Sequence, residues 1–340
     1  MTSPAETNAN ATERYDVIAI GNAIVDVIAR CDEPFLDTHG MAKGSMQLID
    51  AGQATGIYDA MGQAQEVSGG SAANTLAAMA NIGTKCAFIG QVADDQLGQI
   101  FAHDIRAAGV DFNVAPRSEE PPTARCLILV TQDGQRTMNT FLGAAQYLPP
   151  AAIDEDMIRR SDILYLEGYL WDPEEPRAAM QKAIEIARDA GNRVALTMSD
   201  AFVIERHRDG LQGLIDDGKI DILFANEVEI LSLTQLDDFE AALAAIAAKV
   251  QTLVVTRGEH GAVAIADGQR AEVSAEPVSE VVDTTGAGDL FAAGFLAGQA
   301  QGKSLETSLT IGAVAAGEII THIGPRVTRD LPPLIAQRLG

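Results

Sequence analysis

The sequence predicts an α/β protein, a doubly wound and mostly parallel sheet flanked by helices, with a small β lid. Three observations carry the prediction. From residue 153 onward, apolar runs of strand length alternate regularly with helical stretches, as parallel strands joined by crossover helices require. Two glycine-rich turns, around 68–74 and 283–289, each lead into a run of small residues that reads as a helix. Short alternating stretches at 46–50, 123–131 and 136–141 interrupt the strand–helix order and read as an inserted lid, drawn from about 22–50 and 111–142, that closes over a pocket and keeps water out.

Composition bounds the rest. A chain of 340 residues, 47% of them apolar, fits one large α/β domain with a sizeable core. The 48 acidic residues outnumber 24 Lys and Arg, for a formal charge of −24, which argues against a nucleic-acid or anionic-membrane partner. Small molecules are the expected partners, and an anionic one has to be held locally by backbone amides, a metal and a few basic side chains. The cysteines, Cys31, Cys86 and Cys126, are odd in number and form no CxxC, which fits a reduced cytoplasm. No apolar run approaches the ~20 residues of a membrane span. Residues 1–13 lack the apolar core of a signal peptide and read as a disordered tail, leaving 14–340 as the domain. A monomer and a homodimer both remain open.

Taken in order, 15–20 reads as a buried strand ending at Gly21-Asn22, and 24–30 as a second extended piece with Asp26 near its start. Asn22 and Asp26 therefore sit where a first strand leaves the sheet, the place where open α/β sheets bind ligands. A turn Asn and a surface Asp explain them equally well in isolation. In Ser68-Gly69-Gly70-Ser71-Ala72-Ala73-Asn74, two glycines before a helix allow close backbone approach, and Asn74 lies one turn in. A tightly packed helix start is the plainer explanation.

Strands are expected at 163–167, 193–198, 220–225 and 252–256, separated by helices at 173–190, 208–217 and 226–249. Polar residues follow the strand ends: Glu167-Gly168-Tyr169, Ser199-Asp200, Asn226 to Glu229, and Thr256-Arg257-Gly258. Asn226 and Glu229, at i and i+3, share one face of an opening helix, and the same spacing is that of a capping box.

The turn Asp283-Thr284-Thr285-Gly286-Ala287-Gly288-Asp289 is the most informative stretch. Helix-opening amides lack internal partners and sit at the positive end of the dipole, so Gly286, Ala287 and Gly288 make a place for an anion. A carboxylate there repels a phosphate unless it faces the hydroxyl that attacks it. Asp289 is accordingly a candidate general base beside an anion hole, with helix capping as the alternative.

DTTGAGDLFAAGF resembles the C-terminal signature of the ribokinase-like (phosphofructokinase-B-type) kinases, and GGSAAN followed by CAFIGQVADDQLGQIF resembles their N-terminal signature, in the same order. The resemblance implies a ribokinase-like fold and a hydroxyl phosphotransferase that uses ATP and Mg²⁺. It also implies that Asn22 and Asp26 hold sugar hydroxyls together with Gly69, Gly70 and Asn74, and that Asn226 and Glu229 serve the hydrated Mg²⁺ and phosphate region. Thr256, Gly258 and Gly261 of TRGEHG would form the nucleotide loop, with the helix at 304–323 walling the adenine of ATP. Some members need K⁺, and the resemblance puts Asp283 near that site.

Within the family the similarity is greatest to the adenosine kinases, through GNAIVD, EPFLD, VSGGSAAN, YLEGYLW, SDAFVIERH and IDILFANEVE. That branch implies transfer to a purine nucleoside's 5′-hydroxyl, adenosine to AMP, with Ile24, Met46, Leu142, Tyr169, Leu170 and Phe202 around the base. The chain departs from it at Glu167-Gly168-Tyr169-Leu170, where the animal enzymes carry a Phe pair and sugar kinases a carboxylate. A ribokinase- or fructokinase-like sugar kinase and a non-catalytic ligand-binding regulator are the alternatives. Absence of GxxxxGK[ST] excludes a P-loop kinase, and absence of HExxH a zincin.

Overall fold

The computed structural model describes residues 14–340, so the tail expected at 1–13 lies outside the described residues. The chain enters on β1 (Tyr15–Ile20), then β2 (Ile24–Arg30), β3 (Met46–Leu48), β4 (Ala64–Gly69), β5 (Cys86–Ile89), β6 (Val110–Phe112), β7 (Ala124–Val130) and β8 (Arg136–Phe141). It continues through β9 (Ser161–Glu167), β10 (Arg193–Thr197), β11 (Ile222–Asn226), β12 (Thr252–Thr256), β13 (Ala262–Ala266) and β14 (Gln269–Val273). Two sheets result. The larger runs β14-β13-β12-β11-β10-β9-β1-β5-β6, parallel from β6 to β12 and antiparallel at its β13–β14 edge.

β1 shows why the centre holds. Val17, Ile18, Ala19 and Ile20 have no exposed surface, and Ile18 stands between Ala87 of β5 and Leu164 of β9. A parallel strand covered by helices on both faces must be apolar on both, and β1 carries no alternation to lose. On one side the helices Ala287–Ala300 and Leu305–Ile319 pack closely because small residues let them. A Cβ at Gly294 would lie 2.6 Å from the Ile311 carbonyl oxygen, and one at Gly298 2.6 Å from Ser308 Oγ. The run of small residues after the 283–289 turn is thus a packing surface as much as a signature.

The smaller sheet runs β3-β8-β7-β2-β4. The chain passes into it directly from β1 through Gly21-Asn22-Ala23, a three-residue crossing between the sheets. Period-two patterning then divides β2: Val25, Val27 and Ala29 are buried, with Val25 and Val27 in the main core, whereas Ile24 and Ile28 join Ala124, Cys126, Ile128 and Met138 on the other face. Asp26 falls on that second face.

Several boundaries differ from expectation. The smaller sheet includes β4, outside the predicted 22–50 and 111–142, because AQEVSG is too polar to advertise a strand and is held by pairing with β2. Residues 110–112, at the front of the predicted insertion, instead pair with β5 in the larger sheet. The single helix expected at 226–249 is two, Glu227–Thr234 and Phe239–Ala247, broken at left-handed Gln235 (φ 55°) and restarted on an Asp238 cap. The helix expected from 208 begins at Ala201, capped by Asp200, with a kink at His207.

Candidate active site

A cleft of about 680 Å³ opens between the carboxyl ends of the larger sheet's strands and the second face of the smaller sheet. Asn22, Ile24, Asp26, Gly70 and Asn74 line it from the first 74 residues, Tyr169 and Phe202 from the middle of the chain. Asn226, Glu229, Thr256, Gly286, Gly288 and Asp289 line it from the last third. Residues separated by more than two hundred positions thus face one volume, which is what the strand order of a doubly wound sheet achieves.

Asp26 is 7% exposed, and its carboxylate accepts no hydrogen bond from any described residue. Burial pushes it up to about 7, against the pull of the Arg326 and Arg136 guanidiniums and with a push from Asp289. Gly69 makes room for it, since a Cβ there would lie 2.4 Å from Asp26 Oδ2. Gly69 does not line the cleft; it acts by letting Asp26 do so. Gly70 (φ +97°) brings the chain against Asn22, whose carbonyl oxygen a Cβ would meet at 2.1 Å.

Asp289 occupies the third position of the helix Ala287–Ala300, behind left-handed Gly286 (φ 78°). Its Oδ1 accepts from Ser71 Oγ at 2.6 Å and its Oδ2 from Asn74 Nδ2 at 3.0 Å, so the first turn of the helix Ser71–Asn81 holds the carboxylate in place. Burial raises its pKa, and the two hydrogen bonds and Arg326 lower it less. Asn74 Oδ1 is buried with no partner. Asn74 therefore serves Asp289 with one end of its amide and offers the other.

The amide of Ala287 donates to the Thr284 carbonyl at 3.2 Å, which removes it from the expected anion hole. The amides of Gly288 and Asp289 have no acceptor among the described residues, and beside Gly288 a Cβ would meet nothing within 4 Å. The anion site is thus narrower than the sequence suggested, two amides at an open glycine. Such a cradle fits the terminal phosphate of a nucleotide.

Asn226 and Glu229 form the capping box: Asn226 Oδ1 accepts from the Glu229 amide at 2.8 Å, and Glu229 accepts from the Asn226 amide and Nδ2 at 2.9 and 2.7 Å. Burial lifts Glu229 to about 7. Among the described residues no group of three or more His, Cys, Asp or Glu could hold a metal. A Mg²⁺ bound by phosphates and water, with this pair behind the water, fits that donor set.

Other expectations shift. Asp283 accepts from the Thr285 amide at 3.0 Å, the Gly324 amide at 3.1 Å and Arg136 of β8, which ties the smaller sheet to the 283–289 turn. Gly258 and Gly261 lie in the β12–β13 connection outside the cleft lining, and Gly261 is explained by packing, a Cβ there falling 1.9 Å from the Val273 carbonyl oxygen. Leu170 is fully buried among core residues and does not face the cleft, unlike its neighbour Tyr169. Phe202 is 66% exposed, Met46 and Leu48 of β3 are 46% and 61% exposed, and all three line the cleft. Ser71, Arg136 and Arg326 escaped the sequence reading. Ser71, a hydroxyl inside the GGSAAN turn, was findable, whereas nothing local marks the two arginines.

Residues 16–331 match the pfkB family carbohydrate kinases, and the chain belongs to that family. It is a phosphotransferase with an alcohol group as acceptor. The adenosine kinase of Saccharomyces cerevisiae is 27% identical over 91% of this chain and 96% of its own length. Among solved structures, the adenosine kinase of Sinorhizobium meliloti is 48% identical with a TM-score of 0.88, covering 95% of this chain and 99% of that one. A probable sugar kinase protein from Rhizobium etli CFN 42 is equally close, 48% identical with a TM-score of 0.89 over 96% and 99%. Among the described residues no helix is long and apolar enough to cross a membrane.

Proposed function

We propose that the protein transfers the γ-phosphoryl group of ATP to the 5′-hydroxyl of adenosine, yielding AMP. One observation carries the choice of acceptor: Asp26, a buried carboxylate with no hydrogen-bond donor among the described residues, lines the same cleft as Asp289 and an apolar face of Ile24, Cys126, Ile128, Met138 and Leu142. A ribose against Asp26 and Asn74 puts its 5′ end toward Asp289 and its base onto that face opposite Tyr169. Burying a purine there contributes several kcal/mol at roughly 25 cal/mol per Å².

In this reading Asp289 orients the 5′-hydroxyl and takes its proton as the O–P bond forms. A carboxylate cannot deprotonate a free alcohol, whose pKa is near the ~16 of water, so the transfer is late. Its raised pKa makes Asp289 a better base than an exposed aspartate. The amides of Gly288 and Asp289 meet the equatorial oxygens of the moving group, an interaction worth on the order of a hundredfold or more per donor. Asn226 and Glu229 would hold the water of a phosphate-bound Mg²⁺, which would supply charge neutralisation there. The smaller sheet acts as the lid, excluding water that would otherwise take the phosphoryl group.

The test is ADP release from Mg·ATP with adenosine, inosine, guanosine, ribose and fructose, with and without K⁺. Adenosine-selective turnover supports the proposal. Turnover selective for ribose or fructose makes the protein a sugar kinase on the same base, and binding of ATP and acceptor without ADP release makes it a regulator.

A further inference from the structure

Glu167, at the end of β9, has 1% of its surface exposed, yet both carboxylate oxygens are engaged by the protein. Oε1 accepts from Asn22 Nδ2 at 2.6 Å, and Oε2 accepts from the Asn22 amide at 3.3 Å and the Ala72 amide at 2.9 Å. Ala72 is the second residue of the helix Ser71–Asn81, whose N-cap, Gly70, offers no side chain to satisfy the opening amides. Glu167 caps that helix from another element, its Oε2 accepting from the opening Ala72 amide. Gly21 allows it to approach: a Cβ there would lie 2.5 Å from Glu167 Oε2 and 2.6 Å from Ala72 Cβ.

The two segments it joins are those that present the site. Asn22 is the middle of the three-residue crossing from β1 to β2, four residues before Asp26. Ser71 and Asn74, in the helix it caps, are the two side chains that hold Asp289. We propose that Glu167 is a positioning residue, a buried brace that fixes the Asn22 crossing against the start of the helix Ser71–Asn81 so that Asp26 and Asp289 address the same acceptor. The brace deepens the kinase reading and rests on it for its catalytic consequence. It also accounts for a carboxylate at this position without using it to bind the acceptor.

The test compares Glu167→Ala with Glu167→Gln in the full chain. Alanine leaves the Asn22 and Ala72 amides without an acceptor. Glutamine keeps a carbonyl for both, and its NH₂ meets Asn22 once that amide flips. Glu167→Ala is expected to lose kcat with adenosine by about tenfold to a hundredfold, with the KM for ATP within about twofold of wild type. Glu167→Gln is expected to stay within about fivefold of wild type, the conservative rescue that a brace allows. Hydrogen exchange at the Asn22 and Ala72 amides should speed up in Glu167→Ala and not in Glu167→Gln.

A Glu167→Gln variant as inactive as Glu167→Ala, with both amides still protected, would overturn the proposal, because the charge would then be acting on the acceptor. Wild-type kcat and protection in Glu167→Ala would overturn it as well. If Glu167→Ala does not fold, Glu167→Gln decides: near-wild-type kcat with protected amides supports the brace, and lost kcat with protected amides refutes it. A wild-type protein that ignores adenosine refutes the acceptor assignment, and the exchange rates then judge the brace alone.

Discussion

Replacing Asp289 with Asn separates the base from the scaffold around it. The substitution is nearly isosteric. Its oxygen can keep the 2.6 Å bond from Ser71, and its NH₂ would face Asn74 Nδ2, 3.0 Å away. Asn74 can answer by flipping its amide, because its Oδ1 is buried without a partner and becomes the acceptor the new NH₂ needs. The fold therefore tolerates the change. Stability should hold or rise: a carboxyl whose folded pKa is raised stabilises the fold most at low pH and progressively less as pH climbs from about 3.8 through the folded value, and Asn removes that loss. Turnover should not hold. General-base participation is worth about 10²–10⁴ in rate, roughly 3–5 kcal/mol of barrier. The assay is kcat for ADP release with adenosine, alongside calorimetric Kd for adenosine and a thermal melt. A kcat within about tenfold of wild type, with the melt unchanged, would refute the base assignment.

Other outcomes follow from the same geometry. Gly69→Ala drives a Cβ into Asp26, 2.4 Å from its Oδ2, and should raise the KM for adenosine at least about tenfold while leaving the KM for ATP unchanged; equal changes in both would point to general misfolding instead. Tyr169→Ala removes a largely buried ring facing the cleft and should raise the adenosine Kd by about 3 kcal/mol or less, whereas Phe202→Ala, 66% exposed, should alter unfolding stability by less than about 0.5 kcal/mol, as urea titration would show. Burial lifts both Glu167 and Glu229 from 4.5 to about 7, so stability should be greatest toward the acid side of that window and fall as pH rises from about 4.5 through 7; Glu229→Gln should flatten the fall, and an unchanged slope of urea midpoint against pH would contradict the assignment.

The sequence alone marks out the alternating body, the two glycine turns, Asp26 where the first strand leaves the sheet, and Asn74 and Asp289 in the first turns of helices. Those features are local: an apolar run both of whose faces must be buried, a glycine where a Cβ cannot fit, a helix start with bare amides. It misjudged β4, whose polar residues make a strand only because β2 stands beside them, and Ala287, whose amide closes a turn onto Thr284 that no pattern announces. Tertiary structure alone decided what each carboxylate does. Asp26, Glu167 and Asp283 are buried and Asp289 half-buried, all near strand or helix ends, and their sequences do not rank them. Asp26 is left facing the cleft without a partner, Glu167 is spent on Asn22 and Ala72, Asp283 on Arg136 and two amides, and Asp289 is held by Ser71 and Asn74. A buried carboxylate takes its chemistry from whatever donors the fold brings within about 3 Å of it, and here all of those donors but the Thr285 amide come from distant parts of the chain.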